Sequence, residues 1–124
     1  MGFHIDPPGM VTCWAVLDDA TIDNGCLWML PGTDRFGYID RTEWRGYEER
    51  ALAGNLPTER PIELKTGDCS FHHGLILHCS RPNRSAQRRR GYVTHYVSAR
   101  CHYTGNPEHN DALLVGGNSH EGCV

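Results

Sequence analysis

Apolar residues along this chain recur in short runs with a period of two, the spacing of half-buried strands rather than of helices. In MVTCWAVLD (10–18), Met10, Thr12, Trp14 and Val16 fall on one face and Val11, Cys13, Ala15 and Leu17 on the other. DDATIDNG follows as a turn, its NG step being the strongest short-range turn signal. CLWMLPGT (26–33) reads as a second strand, stopped by Pro31-Gly32. PIELK (61–65), CSFHH, LILHC (75–79) and GYVTHYVSA (91–99) read as four more strands. Thr66-Gly67-Asp68 and the RPNRS segment supply the turns between them. RTEWRGYEERALA (41–53) alone is rich in helix formers, with Gly54 as its stop. The tail from Gly105 reads as loop, apart from the short apolar run ALLV. Many short strands with frequent turns predict a mainly all-β sandwich or barrel carrying one short helical insertion. Nothing marks a repeat or a second domain, so residues 1–124 are expected to form a single domain.

Composition narrows the function classes. A net charge of −3 argues against general affinity for nucleic acid. No apolar run approaches the ~20 residues of a membrane span, and no signal-peptide pattern opens the chain. The expectation is a soluble, cytoplasmic protein with no nucleic-acid or membrane partner. Six cysteines are an even number, yet none forms a CxxC pair, and Cys13, Cys26 and Cys69 sit in apolar strand-like runs. They read as reduced, buried thiols, with disulfides or a cysteine metal site as the alternatives.

Three features could carry chemistry. In HID (4–6), a histidine and an aspartate two apart on a strand point to one face. That is two thirds of a facial triad, which leaves three positions on a metal open. Among the histidines at 72, 73, 78 and 95, His78 ends an apolar run just before a turn, a common position for a ligand. His72 and His73 read equally well as strand-end surface residues, and His95 as a satisfied core histidine. Last, Arg81, Arg84, Arg88, Arg89 and Arg90 cluster within ten positions. Such a run is ordinarily a solvated turn. Arg89 opens the next strand, with Arg88 and Arg90 facing the other side; a guanidinium can hold a carboxylate through two parallel hydrogen bonds, which this pattern allows without demanding.

In order, HID, VTCWAVLDDATIDNGCLWMLPGTD and GDCSFHHGLILHCSRPNRSAQRRRGYVTHY resemble the phytanoyl-CoA dioxygenase family of Fe(II)/2-oxoglutarate-dependent oxygenases, over about residues 3–100. The motifs concerned are HxD, an NGxLxxxPGSH-like segment, GDxxxFH, an HxSxxNxS segment and an arginine eleven residues past its histidine. The resemblance implies a double-stranded β-helix (jelly roll, cupin-like). It implies His4, Asp6 and His78 as catalytic iron ligands and Arg89 as the residue binding the distal carboxylate of 2-oxoglutarate. Ser80 would assist at that carboxylate and Trp14 would line the cosubstrate pocket, while Asn83 and Ser85 form a structural turn. The implied cofactors are Fe(II), 2-oxoglutarate and O2. The implied reaction hydroxylates an aliphatic C–H of a small-molecule substrate and releases succinate and CO2; Asp6, rather than a small residue, favours hydroxylation over halogenation.

The chain departs from the family pattern in three ways. Members are usually much longer ahead of HxD, so the β-helix is expected to be incomplete at the N-terminus. The linker from Asp6 to the next strand is short, and Asp34 stands where the PGSH-like segment commonly ends in histidine. A catalytically silent metal-binding β-sandwich, or a gene fragment of such an enzyme, is therefore the competing reading. A nucleic-acid module built on the five arginines, and a zinc site, are the remaining alternatives. Trp44 and Tyr47 in segment 41–53 are candidates for a lid, against an ordinary surface helix.

Overall fold

A computed structural model describes residues 5–38, 57–106 and 110–123. Its strands are Ile5–Asp6 (β1), Val11–Val16 (β2), Leu27–Met29 (β3), Arg60–Ile62 (β4), Cys69–His73 (β5), His78–Ser80 (β6), Gly91–Tyr96 (β7) and His102–Tyr103 (β8). Two antiparallel three-stranded sheets form, in the orders β5-β2-β7 and β4-β3-β6, and β1 pairs with β8. From β2 to β7 the chain passes back and forth between the two larger sheets, which is the winding of the expected double-stranded β-helix. The expected helix at 41–53 lies outside the described residues. Within them the helical content is one 3-10 turn, Thr33–Phe36, directly after the Pro31-Gly32 stop.

The alternation in β2 works as its sequence dictates. Thr12, Trp14 and Val16 are buried, whereas Val11 on the other face is exposed. Trp14, Val16, Ala20 and Cys26 form the core, with Leu27, Trp28, Ile62 and Leu64 packed against it. An Ala20–Leu64 bridge, with hydrogen bonds of 2.8 and 3.0 Å, ties the two sheets at this end. The DDATIDNG turn is held by buried Asn24. Its side chain accepts from Thr21 N–H at 2.8 Å and donates to the Asp19 carbonyl at 2.7 Å, while its own N–H donates to Thr21 Oγ1 at 3.3 Å. Gly25 then takes φ +86°, and a Cβ there would collide with the Arg81 carbonyl. Only glycine lets this turn lie against the loop after β6.

Several expectations are corrected. LILHC is not one strand: Ile76 N–H donates back to His73 O at 3.0 Å, so Gly74–Ile76 turn the corner between sheets and the strand begins at His78. Apolar residues fill this corner because it spans the interior. Cys69 is exposed rather than buried; Cys26 and Cys101 are the buried thiols, and all six cysteines are free. His72 is buried, not a surface residue, and His95 is exposed, not a core one. Past Tyr103 the described tail has no regular structure, and Leu113, Leu114 and Val115 of the ALLV run are exposed.

Candidate active site

The interior beyond Trp14 changes from apolar to polar. Antiparallel register sets Thr12 of β2 between His72 of β5 and His95 of β7, and directly opposed residues share a face. His95 Nδ1 and Thr12 Oγ1 are hydrogen-bonded at 3.0 Å. From the facing sheet His78 approaches, its ring centroid 5.4 Å from that of His72. His78 Nδ1 lies 2.9 Å from the Ile76 carbonyl. A carbonyl only accepts, so Nδ1 carries the proton, and in the neutral ring Nε2 keeps a free lone pair. Such a bond fixes the tautomer and ring plane of a metal-ligating histidine. The segment leading into His78 is itself fixed. Thr33, wholly buried, donates its hydroxyl to Leu30 O at 2.8 Å and accepts Leu77 N–H at 2.9 Å.

His72 is 8% exposed and its Nδ1 has no hydrogen-bond partner among the described residues. Burial, then the nearby His78 and His95 rings, push its pKa below the ordinary histidine value, favouring the neutral form. Ser70, two residues earlier on the same face, also has a buried, unpartnered hydroxyl. Sequence reasoning missed Ser70 and Thr12 and misplaced His72. In CSFHH the aromatic Phe71 suggests an inward phase for 69, 71 and 73, yet Phe71 is 66% exposed and Ser70 and His72 face inward. The signal that finds them is register: opposite Thr12 and Trp14 on β2 only inner-face residues can stand.

Arg89 carries its guanidinium 5.7 Å from the Trp14 ring, and Trp14 is 4% exposed. Gly91 makes room for the indole, since a Cβ there would collide with Trp14 Nε1. Ser80 lies on β6 two residues past His78, hence on the same face, opposite Leu27. The other arginines are only partly the solvated charges expected. Arg90 grips Asp18 with Nε and Nη2, each at 2.9 Å, and Arg81 pairs with Glu59 while its guanidinium lies 3.8 Å above Trp28. The NxS turn is structural: Asn83 Oδ1 accepts Ser85 N–H at 2.8 Å, and Asn83 Nδ2 donates to Gln87 O at 2.6 Å.

Asp6 is exposed on β1, in register with His102 on β8. His4 lies outside the described residues. Among the described residues no three His, Cys, Asp or Glu side chains converge as a metal site. The donor set that the resemblance implies, two imidazoles and one carboxylate, is of a kind that suits Fe(II), and the bond to Ile76 O leaves His78 Nε2 available. Among the described residues no helix is long and apolar enough to cross a membrane.

The phytanoyl-CoA dioxygenase (PhyH) family model matches residues 2–91. Phytanoyl-CoA dioxygenase 1 of Oryza sativa subsp. japonica is 32% identical over 99 residues, covering 76% of this chain and 35% of the relative. The chain thus spans about a third of the length of the curated relatives it matches. A solved non-heme monooxygenase, the ThoJ-Ni complex, has the same fold, with a TM-score of 0.74 and 24% identity over 98% of this chain and 43% of that one. The epimerase SnoN, solved with Fe3+, alpha ketoglutarate and nogalamycin RO, superposes with a TM-score of 0.70 at 25% identity, covering 98% of this chain and 49% of that one. With most of its length matched by the family model, the chain belongs to the phytanoyl-CoA dioxygenase (PhyH) family.

Proposed function

We propose that the chain carries the site of an Fe(II)- and 2-oxoglutarate-dependent dioxygenase that hydroxylates an aliphatic C–H of a small molecule and releases succinate and CO2. The observation that carries this reading is His78, held by Ile76 O with Nε2 left available and its ring beside His72, together with the Arg89 guanidinium over Trp14. Family membership supports it. In this reading His4, Asp6 and His78 hold the iron, which when bound supplies oxygen activation coupled to decarboxylation of the cosubstrate. Arg89 binds the distal carboxylate of 2-oxoglutarate by paired charge-assisted hydrogen bonds, and Ser80 assists there. Trp14 walls the cosubstrate from the core and excludes water from its apolar stem. The chain's own part is to orient the two carboxylates and keep the interior dry.

The test is an anaerobic titration of the purified apo chain with Fe(II) and 2-oxoglutarate, followed by succinate release in air. A saturable visible charge-transfer band that His78→Ala abolishes is the expected result. A folded chain that gives no band is a silent β-sandwich, and the enzyme reading falls.

A further inference from the structure

Three buried side-chain polar atoms lack partners among the described residues: Trp28 Nε1, Ser70 Oγ and His72 Nδ1. Trp28 is out of phase with Leu27 and Met29, which share their face with Ser80 and His78, and its ring lies under Arg81. Ser70 and His72 belong together. They occupy alternate positions of β5, opposite Trp14 and Thr12, and so present two unpaired polar atoms to one stretch of the interior. Buried polar groups in folded proteins are nearly always satisfied, and two neighbouring exceptions among the described residues point to a ligand as their partner. The sequence makes the point sharper, because the apolar Phe71 between them is turned outward and 66% exposed. An apolar inner face was within reach of this strand by a one-residue phase change.

What the pair faces identifies the partner. His72 is the neighbour of His78, at 5.4 Å between ring centroids. Ser70 stands beside Trp14, over which Arg89 extends from the far side. The two atoms therefore lie along the track from His78 to Arg89. A 2-oxo dicarboxylate spanning that track presents carboxylate and keto oxygens, all of them acceptors. A serine hydroxyl and an imidazole N–H are both able to donate to them.

We propose that Ser70 Oγ and His72 Nδ1 are ligand-positioning groups that donate hydrogen bonds to the 2-oxo acid, His72 at the head nearest His78 and Ser70 along the stem toward Arg89. This assignment rests on the function proposed above. It gives His72 the Nδ1–H tautomer and gives a role to two buried groups that lack partners among the described residues. A substrate entering from solvent would meet exposed groups such as His95 first, whereas His72 is 8% exposed.

The experiment compares wild type with Ser70→Ala, His72→Phe and His72→Asn, which returns an amide nitrogen near the position of Nδ1. Each Fe(II)-loaded chain is titrated anaerobically with 2-oxoglutarate and with 2-oxobutyrate, which lacks the distal carboxylate. Affinity and the position of the charge-transfer band are read, together with the thermal midpoint of the apo chain. His72→Phe is expected to weaken both acids by about tenfold or more and to shift the band, the effect of removing one hydrogen bond to a charged group. His72→Asn recovers most of that loss. Ser70→Ala weakens 2-oxoglutarate several-fold. None of these substitutions lowers the apo midpoint as a purely structural hydrogen bond would, since no bond to either atom is made among the described residues. Unchanged affinity in both His72→Phe and Ser70→Ala, or losses that follow a falling midpoint, overturns the proposal while leaving the enzyme reading in place. Absence of a band in wild type overturns both.

Discussion

Thr33 tests whether the approach to His78 is built as described. Its hydroxyl is fully buried and bridges two segments, donating to Leu30 O at 2.8 Å and accepting Leu77 N–H at 2.9 Å. Thr33→Val keeps the β-branch and nearly the volume, so backbone preference and packing change little. The Leu77 amide is left without an acceptor in the interior. Leu30 O retains the long 3.4 Å bond from the Thr33 amide, so its loss is partial. One orphaned buried donor and one weakened acceptor cost about 2–3 kcal/mol together. Thr33→Ser keeps the hydroxyl and loses one methyl, about 1 kcal/mol. Equilibrium urea unfolding of the three chains is the assay. In thermal melts the valine variant is expected to fall by roughly 6–15 °C for a domain of this size. Because Leu77 precedes His78, the valine variant also binds Fe(II) more weakly, and the serine variant does not. Equal stability of wild type and Thr33→Val, or a serine variant less stable than the valine one, refutes the bridging role.

Arg89→Leu is expected to weaken 2-oxoglutarate by about 10- to 100-fold in anaerobic titration, the loss of a charge-assisted pair, while leaving 2-oxobutyrate unaffected. Asn24→Ala removes a side chain that makes one accepted and one donated hydrogen bond inside a buried turn, and is expected to cost about 2–4 kcal/mol in chemical denaturation. Asp19 accepts Thr66 N–H, the Lys65 ammonium and the Thr66 hydroxyl, which lower its pKa from 3.8 to about 2. A depressed carboxylate stabilises the fold above its unfolded pKa and loses that contribution as pH falls through the folded value. The thermal midpoint should therefore drop between about pH 4 and pH 2, and Asp19→Asn should flatten part of that drop. Gly91→Ala drives a methyl into the Trp14 indole and is expected to reduce both the midpoint and 2-oxoglutarate affinity, read in the same two assays.

β2 was legible because its two faces meet different surroundings, and period two survives wherever that holds. The PGT stop and the NG turn were legible for a local reason, their glycines adopting positive φ in the fold. LILHC misled because a corner crossing the interior is as apolar as a strand, and run length alone does not separate them. β1 and β8 have two residues each, too few to show any period. At the site, the motif positions His78, Arg89 and Trp14 were readable from order and spacing; Trp14 is buried beneath the Arg89 guanidinium, whereas His78 is exposed at the start of β6. The Arg90–Asp18 and Arg81–Glu59 pairs join residues 72 and 22 positions apart, so nothing local announces them. The inward phase of Ser70 and His72 was hidden by Phe71, because burying the aromatic is the better local choice for the strand.

That last conflict shows how the interior is divided. At one end Val16, Ala20 and Cys26, each at most 1% exposed, supply apolar burial with Leu27, Ile62 and Leu64. At the other, Thr12, Ser70 and His72 occupy inward positions that the same strands could have filled with aliphatic groups, with the exposed His78 and His95 beside them. Trp14 is the boundary, touching core on one side and lying beneath Arg89 on the other. Local strand preference and global fold agree throughout the apolar end and disagree on β5, where a polar face is turned in and a phenylalanine out. Disagreement of this kind is expected where a site, rather than stability, sets the residue. It follows that substitutions at Val16 or Cys26 should act through folding, with ligand affinity falling only as the chain unfolds. Substitutions at Ser70 or His72 should act on the ligand at constant or improved stability. The two classes are separable in one experiment on one chain, because a single indole divides the regions they occupy.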